Sequence, residues 1–197
     1  MSSFLVCYGT GEGQTARIAD RIVDALGERG HDATAVDADE VPTDLDVGDY
    51  DAVLVGSSIH AGKHQSEVVD FVTANREALA ERPTAFFQVS MSSATEEGAA
   101  QAAGYVEEFL EDTGWHPDRI AQFGGALRFS EFGFLKRLLV RQVVKRSMPD
   151  VDTSEDVEFT DWQAVDDFAN DVAAFVEGRL GVAAPDGGAS GADGQSE

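Results

Sequence analysis

Cysteine is nearly absent from this chain: only Cys7 occurs. One thiol cannot form an internal disulfide, which excludes a disulfide-stapled scaffold and fits a reducing compartment. Its neighbours Leu5 and Val6 are apolar, so Cys7 reads as a small buried hydrophobe, and a buried thiol is usually inert. Lysine is almost as scarce, at Lys63, Lys136 and Lys145 only. No apolar run approaches the roughly 18 residues a membrane-spanning helix requires. The start, Met1-Ser2-Ser3, has no basic stretch and leads into a strand-like segment, which argues against a signal peptide and for a cytoplasmic location. No G-K-[ST] follows a glycine loop, so the chain has no Walker motif. The glycine spacing is not G-x-G-x-x-G either, and Asp37 is only a faint candidate for binding a ribose.

What is present in excess is negative charge. The 197 residues carry 37 acids against 14 Lys and Arg, a formal net charge of −23. Solubility alone does not require so much. The acids are spread, from Asp37-Ala38-Asp39-Glu40 through Asp44 to Asp51 and Glu107-Glu108 to Asp150 to Glu158. Such a spread reads as a surface that stays hydrated in concentrated salt, and so as a salt-adapted (halophilic) host. The alternative is a surface that repels or attracts particular partners. Nucleic acid is not an expected partner, because its phosphates would be repelled.

Hydrophobic periodicity predicts alternating strands and helices. Ser3 to Tyr8, His31 to Asp37, Tyr50 to Gly56, Thr84 to Ser90 and Arg119 to Leu127 read as strands. Gly13 to Arg29, Gln65 to Ala80 and Glu96 to Thr113 read as helices, with Gly30 closing the first. Thr160-Asp161-Trp162-Gln163 has a capping-box pattern and announces a last helix to about Leu180. The fold class expected is α/β: a doubly wound, five-stranded parallel sheet with helices on both faces. Residues 1–180 form the predicted domain. The tail, 181–197, is rich in Gly, Ala, Ser and Asp and is expected to be disordered.

The loop after the first strand is the first candidate site. A glycine-rich strand-to-helix turn lets a backbone approach an anion, and the helix N-terminus offers free N–H groups. Thr10, Gly11, Glu12, Gly13, Gln14 and Thr15 resemble the T-x-T-G-x-T phosphate loop of flavodoxins, which holds the phosphate of FMN without a cationic side chain. Glu12 stands where that pattern has a hydroxyl, and a carboxylate beside a phosphate is unfavourable. In open parallel sheets ligands bind beyond the carboxyl ends of the strands. The flavin ring is therefore expected against Ser57, Ser58, Ile59, His60, Ala61 and Gly62, and against Ser90, Met91, Ser92 and Ser93, with Gly125 and Ala126 beside them. Neither of the two polar loops carries Trp, Tyr or Phe, which leaves a flavin face open and leans toward an enzyme over a carrier. His60 and His64 are candidate donors to ring or substrate, or plain loop residues. No metal site is evident.

Six of the 14 basic residues fall between Arg128 and Arg146, against the single acid Glu131. The expected insertion, about 128–150, reads as a basic amphipathic helix near strand five. Lys136, Arg137, Arg141 and Lys145 lie on one side, and Leu135, Leu138, Leu139 and Val143 on the other. It either packs on the core and pairs with acids, or meets an anionic or amphipathic partner such as a membrane surface.

Together with GSSIHAGKH, GWHPDRIAQFGGALRF and EFTDW, this segment makes the chain resemble the flavodoxin-like, menaquinone-dependent protoporphyrinogen IX dehydrogenases over residues 3 to 178. The resemblance implies an FMN enzyme that oxidises protoporphyrinogen IX to protoporphyrin IX in heme biosynthesis and passes electrons to menaquinone or another quinone. It implies that Arg128, Leu135, Lys136, Arg137, Leu139 and Arg141 face substrate or membrane, with peripheral contact at the inner face of the cell membrane. That family tends to have a tyrosine where Ala61 stands, and more aromatics in the insertion. The alternatives are a flavodoxin-type electron carrier, another FMN quinone reductase, or a non-catalytic interaction module. No catalytic acid or base is identified.

Overall fold

The computed structural model describes residues 1–127 and 156–181. The basic segment at about 128–150 and the tail beyond residue 181 lie outside the described residues.

The strands are β1 (Ser3–Gly9), β2 (Asp32–Asp37), β3 (Ala52–His60), β4 (Lys63–His64), β5 (Thr84–Ser90), β6 (Arg119–Gly124), β7 (Ala126–Leu127) and β8 (Val157–Glu158). The helices are α1 (Gln14–Glu28), α2 (Ser66–Ala74), α3 (Arg76–Ala80), α4 (Ala99–Thr113) and α5 (Trp162–Leu180). Five parallel strands lie in the order β2-β1-β3-β5-β6, with β4 added antiparallel to β3. Order reverses between β1 and β3, which is where an open parallel sheet opens a crevice.

Alternation along the strands makes two cores. Phe4 and Val6 face α1 and α5, packing with Ile18, Ile22, Phe87, Phe168 and Val172. Leu5 and Cys7 face the other layer, with Val68, Phe71, Phe86, Phe109 and Trp115. Full burial of each such large apolar side chain contributes about 1.5–3 kcal/mol. The register sets Gly9 beside Ser57, Ser58 beside Val89, and Ser90 beside Gly124. The ends of β1, β3, β5 and β6 therefore share one edge of the sheet.

Four elements depart from the sequence reading. The third strand runs on through Ser57 to His60 and turns back through β4. Its two-residue turn has positive φ at both Ala61 (50°) and Gly62 (81°), the pattern that suits a tight hairpin. The helix expected over 65–80 breaks at Asn75, whose side chain Nδ2 donates to Phe71 O at 2.9 Å. The next helix starts at Ala99 rather than Glu96, because Thr95 Oγ1 accepts from Gly98 N and folds the approach into a turn. The strand expected over 119–127 stops at Gly124. Ala126–Leu127 then pair antiparallel with Val157–Glu158, so the chain leaves the main sheet there.

Candidate functional site

The glycines of the first loop have separate causes. A Cβ on Gly9 would lie 2.5 Å from Val68 Cγ2 and 2.9 Å from Gln65 Cβ, so that glycine admits the start of α2. Gly13 is left-handed, with φ 82°, and caps α1. Its N–H donates to Thr10 Oγ1 at 3.0 Å, and its carbonyl accepts from Arg17 N at 3.2 Å. No side chain caps α1, so the amides of its first turn face the loop. The Thr15 side-chain oxygen is buried there without a partner among the described residues. A wholly buried hydroxyl with no partner costs stability unless something outside the protein answers it.

This loop forms one end of a cleft of about 250 Å³. Thr10, Gly11, Glu12, Gln14 and Thr15 line that end. Ser58, Ile59 and His60 line it from β3, Val89, Ser90 and Met91 from β5, and Gly125 and Ala126 from beyond β6. Gln65 Nε2 donates to Ser58 Oγ at 2.8 Å, which leaves the Ser58 proton available. Ser90 Oγ accepts from Ser93 N, and Ser90 O accepts from Gly125 N at 3.1 Å, tying the two far walls together. No Lys, Arg, Trp, Tyr or Phe is among the described residues that line the cleft. An anion here would rest on neutral donors and the α1 dipole, a contribution of about 0.3–1 kcal/mol.

Several expected residues serve the cleft from behind. Ser57 is fully buried, and its Oγ accepts from Gln65 N at 3.1 Å. Gly13 shapes the loop, and Ser93 bonds Ser90. Ala61 and Gly62 form the hairpin tip, and Ser92 donates to Gln101 Oε1. Arg128, Leu135, Lys136, Arg137, Leu139 and Arg141 lie outside the described residues. His60 is exposed at the cleft, whereas His64 turns away toward a second hollow of about 210 Å³. Gln88 Nε2 donates to Ala102 O, so its oxygen faces His64 and accepts the Nε2 proton at 3.0 Å. Burial lowers the His64 imidazole to about 4 against that hydrogen bond, so at neutral pH it is an uncharged part of the packing.

Sequence reasoning missed Val89, Gln65 and Thr160. Gln65 had no signal beyond its place at the start of a predicted helix. Thr160 reads as a cap, yet Asp161 caps α5, accepting from Gln163 N and Ala164 N. Thr160 Oγ1 instead donates to Gly124 O at 2.7 Å and accepts from Gln14 Nε2 at 2.8 Å.

Cys7 lies in the second core, and burial first, then Asp37, pushes its thiol up to about 12. Native protein at pH 8 should therefore take up no thiol reagent, and denatured protein one equivalent. Rapid labelling of folded protein would place the thiol elsewhere.

A doubly wound parallel sheet with a glycine loop at the switch between β1 and β3 defines a flavodoxin-like protein. The flavodoxin-domain family matches residues 5–154. Curated relatives include protoporphyrinogen IX dehydrogenase [quinone] of Escherichia coli strain K12, 31% identical over 174 residues, 88% of this chain and 96% of that protein. The Leishmania major protein of the same name is 31% identical over 176 residues, 87% of this chain and 74% of its own length. Among solved structures, a short-chain flavodoxin associated with a bacterial microcompartment superposes with TM-score 0.55 at 14% identity, covering 89% of this chain and 99% of its own. An archaeal flavodoxin gives 0.52 at 17% identity, with the same coverage of both chains. These two likenesses show the fold. The chain belongs to the flavodoxin-domain family and, within it, to the family of quinone-dependent protoporphyrinogen IX dehydrogenases.

The cofactor this family implies is FMN, and the residues present fit it. The unanswered Thr15 hydroxyl and the uncapped first turn of α1 suit a phosphate. The small, uncharged walls at Ser58, Ser90 and Gly125 suit a planar ring.

Proposed function

We propose that the protein is an FMN-dependent oxidoreductase that oxidises protoporphyrinogen IX to protoporphyrin IX with a quinone, such as menaquinone, as acceptor. The observation that carries this reading is a cofactor cleft with no Trp, Tyr or Phe among the described residues that line it, in a chain that aligns with the Escherichia coli dehydrogenase over 96% of that protein. An uncovered ring admits a large planar substrate, whereas a carrier needs only its edge. The reading takes residues 1–180 as one FMN-binding domain, with the insertion at about 128–150 and the tail at 181–197. Arg128 and the basic segment would meet substrate propionates or the membrane surface. Among the described residues no helix is long and apolar enough to cross a membrane. The acid excess would suit a salt-adapted cell.

Bound FMN supplies the two-electron chemistry. The chain's own residues hold and expose it. Thr10 fixes the turn through the Gly13 amide, and Thr15 with the first-turn amides would bind the phosphate. Ser58, held by Gln65, would offer its proton to the ring edge.

Anaerobic incubation of FMN-loaded protein with protoporphyrinogen tests the reading. The oxidation removes six electrons and each FMN takes two, so porphyrin fluorescence should rise by at most about one third of an equivalent per FMN without quinone and continue with a menaquinone analogue. Porphyrin forming no faster than without protein would overturn the substrate assignment. A narrower expectation concerns Glu12, whose carboxylate shares the phosphate end of the cleft. Glu12→Thr should tighten FMN binding, and more at low salt than at molar salt, where the Debye length is about 3 Å. Fluorescence titration at the two salt concentrations measures this, and equal affinities throughout would place Glu12 away from the phosphate.

A further inference from the structure

We propose that Thr160 is a positioning residue of the cofactor cleft, acting through Gln14 at the phosphate end and Gly124 at the opposite wall. The inference rests on the FMN reading above. Thr160 is half-buried, follows β8, and belongs to the return of the chain after the insertion. Its hydroxyl is used twice, accepting from Gln14 Nε2 at 2.8 Å and donating to Gly124 O at 2.7 Å. Gln14 is buried and lines the cleft. Its amide orientation is set from the other side, because Arg17 Nη1 donates to Gln14 Oε1 at 3.1 Å and so turns the NH₂ toward Thr160.

The contact on the second wall is equally close. A Cβ on Gly124 would lie 2.4 Å from the Phe159 carbonyl oxygen, so the returning backbone lies directly against β6. Phe159 N donates to Gly125 O at 3.0 Å, and Gly125 N to Ser90 O at 3.1 Å. A line of hydrogen bonds thus runs from the first turn of α1 through Thr160 to Gly124, and through Phe159 to Gly125 and Ser90, both of which line the cleft. Arg17 is held away from the cleft by Glu158 at 2.6 Å and lies over Trp162 at 5.1 Å. The same return segment therefore also engages the guanidinium of Arg17.

The test is FMN affinity of the full chain in molar salt, beside the visible circular dichroism of bound flavin and the thermal midpoint without flavin. Thr160→Val keeps shape and removes both bonds. It should weaken FMN about tenfold and shift the flavin bands, whereas Thr160→Ser should restore both. The control is Asp166→Ala, which removes both Arg21–Asp166 bonds (2.6 Å each) between α1 and α5, away from the cleft. That variant should lose thermal stability at unchanged FMN affinity. If affinity falls in both variants in proportion to the thermal midpoint, Thr160 is merely structural and the proposal is overturned. Wild-type affinity in Thr160→Val overturns it as well. Should that variant fail to fold, Thr160→Ala removes the same hydroxyl with less bulk and is read in the same way. Failure of the wild type itself to bind FMN would instead sink the cofactor reading.

Discussion

Replacing Glu177 by alanine should cost about 3 kcal/mol of unfolding free energy, the low end of what breaking a buried ion pair costs. The carboxylate is buried near the C-terminal end of α5. Arg29 grips it with Nε at 2.7 Å and Nη2 at 2.8 Å. His31 Nδ1 accepts from Ser2 N at 3.2 Å, so His31 Nε2 carries a proton and donates it to Glu177 at 3.0 Å. His31 also stands edge-on to Phe4, with ring centroids 5.1 Å apart. One carboxylate therefore ties the N-terminus, the residues after α1, and α5. Removing it leaves a guanidinium and an imidazole N–H without their acceptor. Urea unfolding at fixed salt measures the loss, and a change under about 1 kcal/mol would mean that water replaces the carboxylate at no cost.

The same cluster sets a pH dependence. Hydrogen bonding from Arg29, opposed by burial and assisted by His31, holds the Glu177 carboxyl at about 2 instead of 4.5. The folded value lies below the unfolded one, so the stabilisation is complete above about 4.5 and drains away as pH falls toward 2. Wild type should lose stability through that window, and Glu177→Ala should show a shallower slope. Asp166, lowered chiefly by its hydrogen bonds to Arg21, and Glu158 share the window. In Glu158 burial pushes upward, but Arg17, Trp162 and Gln14 together outweigh it. Both pairs are more exposed, and such surface pairs contribute about 0–1 kcal/mol each. Molar salt leaves the ranking intact, because the Glu177 carboxylate is more buried than Asp166 or Glu158 and a buried pair is screened less.

The five parallel strands were legible because buried parallel strands read as short apolar runs, as in Ala52 to Val55. The cleft was legible where glycines and hydroxyls cluster at strand ends. Three features were not. Ser57 to His60 has neither an apolar run nor a clean alternation, so its pairing with Lys63–His64 depends on the Ala61-Gly62 turn, a tertiary feature. Thr160 and Asp161 both favour helix caps, and sequence cannot say which one the β7–β8 ribbon draws toward Gly124. Gln65 acts through its length, reaching Ser58 from the start of α2 while Gly9 makes room for its stem. Such roles belong to side chains whose partners lie across the fold.

Thr15→Val should separate the fold from the site. The Thr15 hydroxyl lies in the first turn of α1, fully buried, with no partner among the described residues. Valine has the same branched shape, so packing against the core is kept, and both residues tolerate the helix about equally. Removing a buried hydroxyl that nothing answers avoids a desolvation cost of about 1–3 kcal/mol. The flavin-free variant should therefore be as stable as wild type or up to about 1 kcal/mol more stable. With FMN present the sign reverses. A hydrogen bond to a charged phosphate contributes about 1.5–3 kcal/mol, so affinity should fall by roughly 10- to 150-fold. The thermal midpoint gained on adding FMN should shrink by the same free energy, since a ligand stabilises only in proportion to its binding. Two measurements decide the matter: the midpoint without flavin, and the fluorescence titration with it. A variant that is destabilised without flavin yet binds FMN as wild type does would show that Thr15 has a structural partner, and that the phosphate sits elsewhere along the loop.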